Sequence, residues 1–331
     1  MPVYLDRDAL TFHADDVHPD ARLTLEFQRT LRIPDDGRDY PLPPGLGRFP
    51  LRHVDDHAAR LPQSWVARGG VLFPMYQAEA MWIAFPSRGY PFAVKIATGK
   101  INAVSGEPWA PGLNRDPQDY CVLPEQPWLD GYAVEKGVIR QFVAMPLGQG
   151  YTAEEQLTGA AEWGGLQIVA YPMKAERWEE IQRRWAKEMR QARPAAPMLA
   201  EGAGMGLAPG GRMKQEVFRD RHALDDWDQR HGIRCYVSIL NSVDWTAATG
   251  TAVPLPPITA KDYASAGLPW YAYYSDAPAV GGSRTLAGLR SVAELSRDRH
   301  GTAGDLADPL PAQRVQRIDA RPARPVSTGA F

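Results

Sequence analysis

Two histidine–aspartate clusters carry the residue types that a borderline divalent cation accepts: His13-Ala14-Asp15-Asp16-Val17-His18-Pro19-Asp20 and His53-Val54-Asp55-Asp56-His57. If neighbouring strands brought these two loops together, four or more ligands would converge and metal-assisted hydrolysis would be open to the chain. Both stretches are also acidic, loop-like and close to proline or to strand ends, where solvated Asp and His are ordinary. No metal ligand is therefore assigned, and no cofactor is expected. The Asp225-Asp226-Trp227-Asp228 run reads in the same way, as a solvated helix face.

Covalent and phosphate chemistry fare no better. Cys121 and Cys235 fall in apolar strand-like runs, positions typical of inert thiols, and no Cys-x-x-Cys spacing occurs. Gly-x-Ser-x-Gly is absent. The glycine-rich stretch 202–214 offers bare backbone N–H groups beside Arg212 and Lys214. It lacks a preceding strand, a Gly-Lys-Ser/Thr and a following helix, so a connector is the expected reading. Glu154 and Glu155 form a carboxylate pair, but Glu155 is already engaged by a capping box with Thr152.

What remains is a set of aromatic and polar loop residues. Ten tryptophans occur in 331 residues, many beside Pro, Gly, Asp or Glu, as in Glu107-Pro108-Trp109, Pro127-Trp128-Leu129-Asp130-Gly131 and Glu162-Trp163-Gly164. Loops that present Trp with Asp, Asn, Gln and Arg supply a flat ring and directional hydrogen bonds. Around them stand Asn102, Glu107, Asn114, Asp119, Gln149, Glu162 and Gln167. The candidate ligand-binding residues are Trp109, Gln126, Trp128, Asp130, Arg140 and Trp163. No catalytic residue is assigned. The competing reading is that these tryptophans plug the ends of a β domain.

Positioning those loops requires strands. Leu23, Leu25, Phe27, Leu31 and Ile33 alternate with polar residues, which marks a strand wet on one face. Proline-rich 40–50 must be an extended or edge segment, since each proline lacks a ladder N–H. Further short apolar runs, at 71–76, 80–85, 92–97, 101–104, 120–123, 132–134, 138–145 and 166–171, give eight to ten strands by about residue 172, as in sandwiches and barrels. Thr98-Gly99-Lys100 and Glu135-Lys136-Gly137 read as hairpin turns.

The texture changes after Pro172. Trp178, Ile181, Trp185 and Met189 stripe an amphipathic helix over 175–193. Residues 195–211 read as linker or functional loop, 221–230 as a short helix, and 233–240 as a strand. Two more helices are expected, from Thr259 to Gly267 and over 284–295. From 296 onward large apolar residues nearly vanish.

The expected architecture is mainly β with a helical appendage (α+β). An antiparallel β-sandwich or partly open barrel covers 1–172, a helical or α+β appendage 173–298, and an extended or disordered tail 299–331. Formal charge is −2, with 37 basic and 39 acidic residues interspersed, so a nucleic-acid partner is not expected. No apolar run is long enough to span a bilayer. The opening residues lack a basic and apolar leader, so a cytoplasmic location is expected. The functional expectation is a non-catalytic structural, assembly or binding protein using its Trp-bearing loops. Its partner would be a protein, a second copy of the chain, or a glycan. The alternative is a hydrolase using carboxylates or a His/Asp metal site.

Overall fold

The structure is a computed structural model and describes residues 2–87, 89–189, 207–275 and 277–319. The alternation that begins at Leu23 produces the Arg22–Thr30 strand, with Leu23, Leu25 and Phe27 fully buried. It pairs antiparallel with Ala9–His13 on one side and Ala80–Ala84 on the other. The sheet continues through Val138–Ala144 and Leu207–Met213 to a short parallel edge at Asp39–Tyr40. The proline-rich segment thus lies where a missing N–H costs least. With Val3–Asp6, Gly45–Arg48, Trp128–Leu129 and Gly131–Glu135, this sheet has ten strands.

A second sheet has seven strands, ordered Ile101–Asn102, Phe92–Thr98, Leu166–Pro172, Ile233–Asn241, Val71–Met75 and Arg52–His53, with Cys121–Leu123 also on Phe92–Thr98. Every residue of Phe92–Thr98 and Leu166–Pro172 is buried, because both faces of these central strands are covered. Both expected hairpins are present. At the first, Gly99 and Lys100 both take positive φ, 53° and 63°, the geometry that matches strand twist in a tight turn.

One apolar cluster draws Leu25, Phe27 and Ile83 from the larger sheet and Phe73, Val94, Ile168 and Val237 from the second. Phe73 stacks on Phe27 and on Phe49, with ring centroids 5.4 and 5.0 Å apart. The fold is therefore mainly β, an α+β arrangement with a β-rich core, and not a closed barrel. Pairing is mostly antiparallel. Three pairings are parallel: Ile233–Asn241 with Val71–Met75, Leu207–Met213 with Asp39–Tyr40, and Pro269–Tyr274 with Arg314–Asp319. No helix among the described residues is long and apolar enough to cross a membrane.

Several local expectations need correction. Leu207–Met213, read as part of a connector, is a sheet strand buried at all but one position. Its glycines permit close packing: a Cβ on Gly211 would lie 2.2 Å from the Pro34 carbonyl oxygen. Residues 202–206 lie outside the described residues. The helix expected over 284–295 breaks into Arg284–Ala287 and Val292–His300, because Ser291 and Glu294 form a second capping box. The short helix at 221–230 is two 3-10 turns, Leu224–Asp226 and Gln229–His231. Helices Gln63–Arg68 and Ser242–Thr249 were not anticipated.

On the helix Ala175–Met189, Trp178 and Ile181 pack into the main core, while the side chains of Trp185 and Met189 lie outside those described. In the C-terminal segment, Arg314–Asp319 runs extended beside Pro269–Tyr274, and residues 320–331 lie outside the described residues.

Where the Arg22–Thr30 strand leaves the larger sheet, a side chain replaces the ladder. The fully buried Gln141 accepts from Ile33 N at 3.1 Å and donates to Leu31 O at 2.9 Å. Gln141→Leu keeps the volume but leaves both backbone groups buried without a partner, at about 1–3 kcal/mol each. Urea unfolding of this variant is expected to show a loss of about 2–4 kcal/mol; wild-type stability would refute the substitute-ladder role.

Candidate functional site

The residues singled out in sequence divide among four places. Gln126 and Trp128 meet in one cleft, with Asp130 buried beside it. Arg140, Trp109 and Trp163 do not join them.

Gln126 is 2% exposed and acts as a clamp: its amide donates to Trp128 O at 2.8 Å and Glu216 O at 3.2 Å, and its carbonyl accepts from Phe218 N at 3.0 Å. The clamp holds the chain at 215–218 against the Trp128–Leu129 strand. Trp128 packs edge-on to Trp82 and to Tyr273, at 5.8 and 4.9 Å between ring centroids. These contacts make Trp128 a wall of the cleft, not an open platform.

The cleft encloses about 460 Å³, within the range of small-molecule sites. Its apolar side is formed by Leu42, Trp128, Val138, Phe218 and Tyr273. Its polar side carries Gln126, Gln215, Glu216, Ser275, Lys136 and Lys214. Neither lysine has an ion-pair or hydrogen-bond partner for its amine among the described residues. Both project from sites fixed by the backbone: Lys136 from the Gly131–Glu135 hairpin turn, and Lys214 one residue beyond a buried strand, its N–H on Tyr40 O.

Asp130 is fully enclosed and does not line the cleft. Its backbone N–H donates to the Gln215 carbonyl at 3.0 Å. Burial raises its carboxyl from 3.8 to about 8, and hydrogen bonds with the Trp128 and Gln215 side chains offset that only in part. One carboxylate oxygen has no hydrogen-bond partner. At neutral pH the raised value favours the protonated, uncharged form. A general acid must reach the proton acceptor, and Asp130 has no such access.

The other candidates have structural work. Arg140 lies 3.8 Å from Glu294, the residue that caps Val292–His300. Beside them burial pushes the Asp35 carboxyl up, against a hydrogen bond from Ser291 and the charge of Arg140. Trp163 is covered by two cations, Lys100 Nζ at 3.6 Å and Arg68 Cζ at 4.4 Å from its ring centroid. Trp109 packs on the main core with Lys95 Nζ 5.6 Å away.

The reactive groups stay dispersed. His13 pairs with Asp15, and His18 Nδ1 accepts from Asp20 N while its ring packs on Tyr90. Among the described residues no three of His, Cys, Asp and Glu are placed to hold a metal ion. Both cysteines are free and buried, and burial pushes each thiol up to about 12. Glu154 receives the N–H groups of Glu162, Trp163 and Gly164, and Glu155 those of Gly150 and Thr152. A wider cleft of about 680 Å³ borders Glu79, Lys261 and Tyr151. Each of the three is already paired: Glu79 with Arg29 and Tyr76 N, Lys261 with Asp308, and Tyr151 with Ser296.

Sequence reasoning missed Phe218 and Tyr273, and it placed Lys136 only in a turn and Lys214 only beside the glycine-rich stretch. The aromatic alternation of Trp270-Tyr271-Ala272-Tyr273 carried a usable signal, since Trp270 is fully buried and Tyr273 only partly. Comparisons with protein-family models, with curated proteins and with solved structures give no match to this chain.

Because the native pKa of Asp130 stands above its unfolded value, the stability it contributes is greatest below about pH 4 and is lost as pH rises through about 8. Asp130→Asn removes that titration. Between about pH 5 and pH 9, thermal unfolding is expected to fall further for the wild-type protein than for the variant. Parallel pH profiles would refute the assignment.

Proposed function

We propose that this protein is a non-catalytic binding protein whose ligand, a small flat organic anion, lies in the Trp128 cleft. The observation that carries this reading is the meeting, across one preformed cavity, of aromatic side chains with Lys136 and Lys214, whose amines have no ion-pair partner among the described residues. A planar apolar body suits the side made by Trp128, Phe218 and Tyr273, and a carboxylate or sulfonate suits the lysines. Among the described residues lining the cavity there is no histidine, cysteine or aspartate, and the one carboxylate is Glu216. That favours retention of a ligand over its conversion. The two lysines on the polar side favour an anion over a neutral glycan.

The same reading places the protein in the cytoplasm, in keeping with two cysteines that stay thiols. Assembly through a second copy or a protein partner is a lesser part of the proposal, supported by the outer edge of Arg314–Asp319, where Val315 is half-exposed.

Calorimetric titration with a panel of benzoates, naphthoates and aryl sulfonates tests the proposal. At least one is expected to bind more tightly than about 1 mM. Lys136→Glu with Lys214→Glu changes two exposed side chains, so folding is preserved, and the affinity is expected to fall roughly tenfold or more. Silence across the panel, or equal affinity in the double variant, would remove the reading. Binding of neutral oligosaccharides instead would replace it with a glycan site.

A further inference from the structure

A second cleft, separate from that at Trp128, encloses about 830 Å³ between the 104–118 loop and the 280–285 turn. Three arginines border it: Arg115, Arg219 and Arg284. Arg115 donates to the Asp220 carbonyl at 3.2 Å and keeps its remaining N–H groups. Arg219 and Arg284 have no side-chain ion-pair or hydrogen-bond partner among the described residues, although Glu107 and Asp116 stand on the same rim.

The floor is hydroxylated. Ser105 and Ser283 are only 5% and 7% exposed and both border the cavity. Each oxygen already accepts a backbone N–H, from Glu107 and from Leu286, at 3.3 Å. Each hydroxyl proton has no acceptor among the described residues, so each serine is a buried donor awaiting one. The two turns press together here: a Cβ on Gly106 would come within 2.6 Å of Ser283 Oγ. Glycine with φ +75° is what permits that approach.

The walls are held before any ligand arrives. Gln118 donates to Tyr120 O and Phe218 O and accepts from Asp220 N, all at 2.8–2.9 Å. The Asp220 carboxylate is in turn fixed by Tyr120 Oη at 2.6 Å and Trp227 Nε1 at 2.9 Å. Arg219 N donates to Pro278 O and Val280 N to Val217 O, tying the two sides together. A cleft of this kind costs little to organise on binding.

We propose that this cleft binds a phosphate group, free or at the end of a small ester, with Arg219 and Arg284 as its principal charge partners and Ser105 and Ser283 as hydroxyl donors. Guanidinium pairs match phosphate oxygens in a bidentate way, and hydroxyls complete the shell. The near carboxylates Glu107 and Asp116 oppose the anion, so the affinity is set by the difference between three positive and two negative neighbours.

Calorimetric titration of the full chain with inorganic phosphate and with glycerol 2-phosphate tests this. At least one is expected to bind more tightly than about 1 mM in low salt, and to weaken as salt rises. Tighter binding of the ester assigns the site to a phosphomonoester, and the reverse order to the free ion. Arg219→Ser with Arg284→Ser replaces exposed side chains, so folding is preserved, and should lower the affinity roughly tenfold or more. Glu107→Gln should raise it a few-fold by removing repulsion. Absence of binding by both probes, unchanged affinity in the double arginine variant, or weaker binding by Glu107→Gln would overturn the proposal. Lys136→Glu with Lys214→Glu should leave phosphate binding intact, which keeps this result independent of the Trp128 cleft.

Discussion

The buried pair of Lys95 and Asp119 organises the long loop that borders the arginine cleft and leads on to the Trp128 cleft. Lys95 is central in Phe92–Thr98 and 2% exposed, with its amine 2.5 Å from the Asp119 carboxylate. Removing two charges from water is costly, and their attraction repays it only when the remaining hydrogen-bonding capacity is also met. Here it is met by the loop itself. Lys95 donates to Ala110 O and Gly112 O at 2.8 and 2.9 Å, and Asp119 accepts from Asn114 N at 2.9 Å. A long irregular segment thus has its carbonyls satisfied by one ammonium. Asn102 completes the closure, donating to Asp119 O and accepting from Val104 N and Ser105 N.

From that anchor two glutamines carry order outward. Gln118 and Gln126 act as side-chain substitutes for strand pairing, each joining its own loop to the chain at 215–220. An extended chain sends successive side chains to opposite sides. Phe218 accordingly enters the Trp128 cleft and Arg219 the arginine cleft. One tethered segment serves two cavities of different chemistry, aromatic on one side and polar on the other. Loops held in this way can carry binding groups without the entropy cost that free loops would add.

The fold was legible wherever hydrophobic period and local punctuation agreed. Alternation revealed Arg22–Thr30, the Thr152 capping box revealed its helix, and the two glycine turns revealed their hairpins. Leu207–Met213 escaped because its Pro-Gly-Gly centre has the composition of a loop, and only the neighbours at Pro34 and Val143 explain glycine there. The site was half legible. Gln126 and Trp128 stood out by composition, but their partners Phe218 and Tyr273 arrive from segments about 90 and 145 residues away, and no local pattern reports such closure. The surroundings of Trp163 are equally non-local: Arg68 and Lys100 lie over its ring from distant segments.

Charge placement separates scaffold from site. Most cations of the larger sheet are answered at short range: Arg29 by Glu79, Arg48 by Glu26, and Arg212 by both Asp39 and Glu135. Lys136, Lys214, Arg219 and Arg284 are not answered in this way among the described residues, and each borders a cavity. All four are exposed to solvent. They therefore contribute little to stability, and an incoming anion meets them without first breaking a protein ion pair.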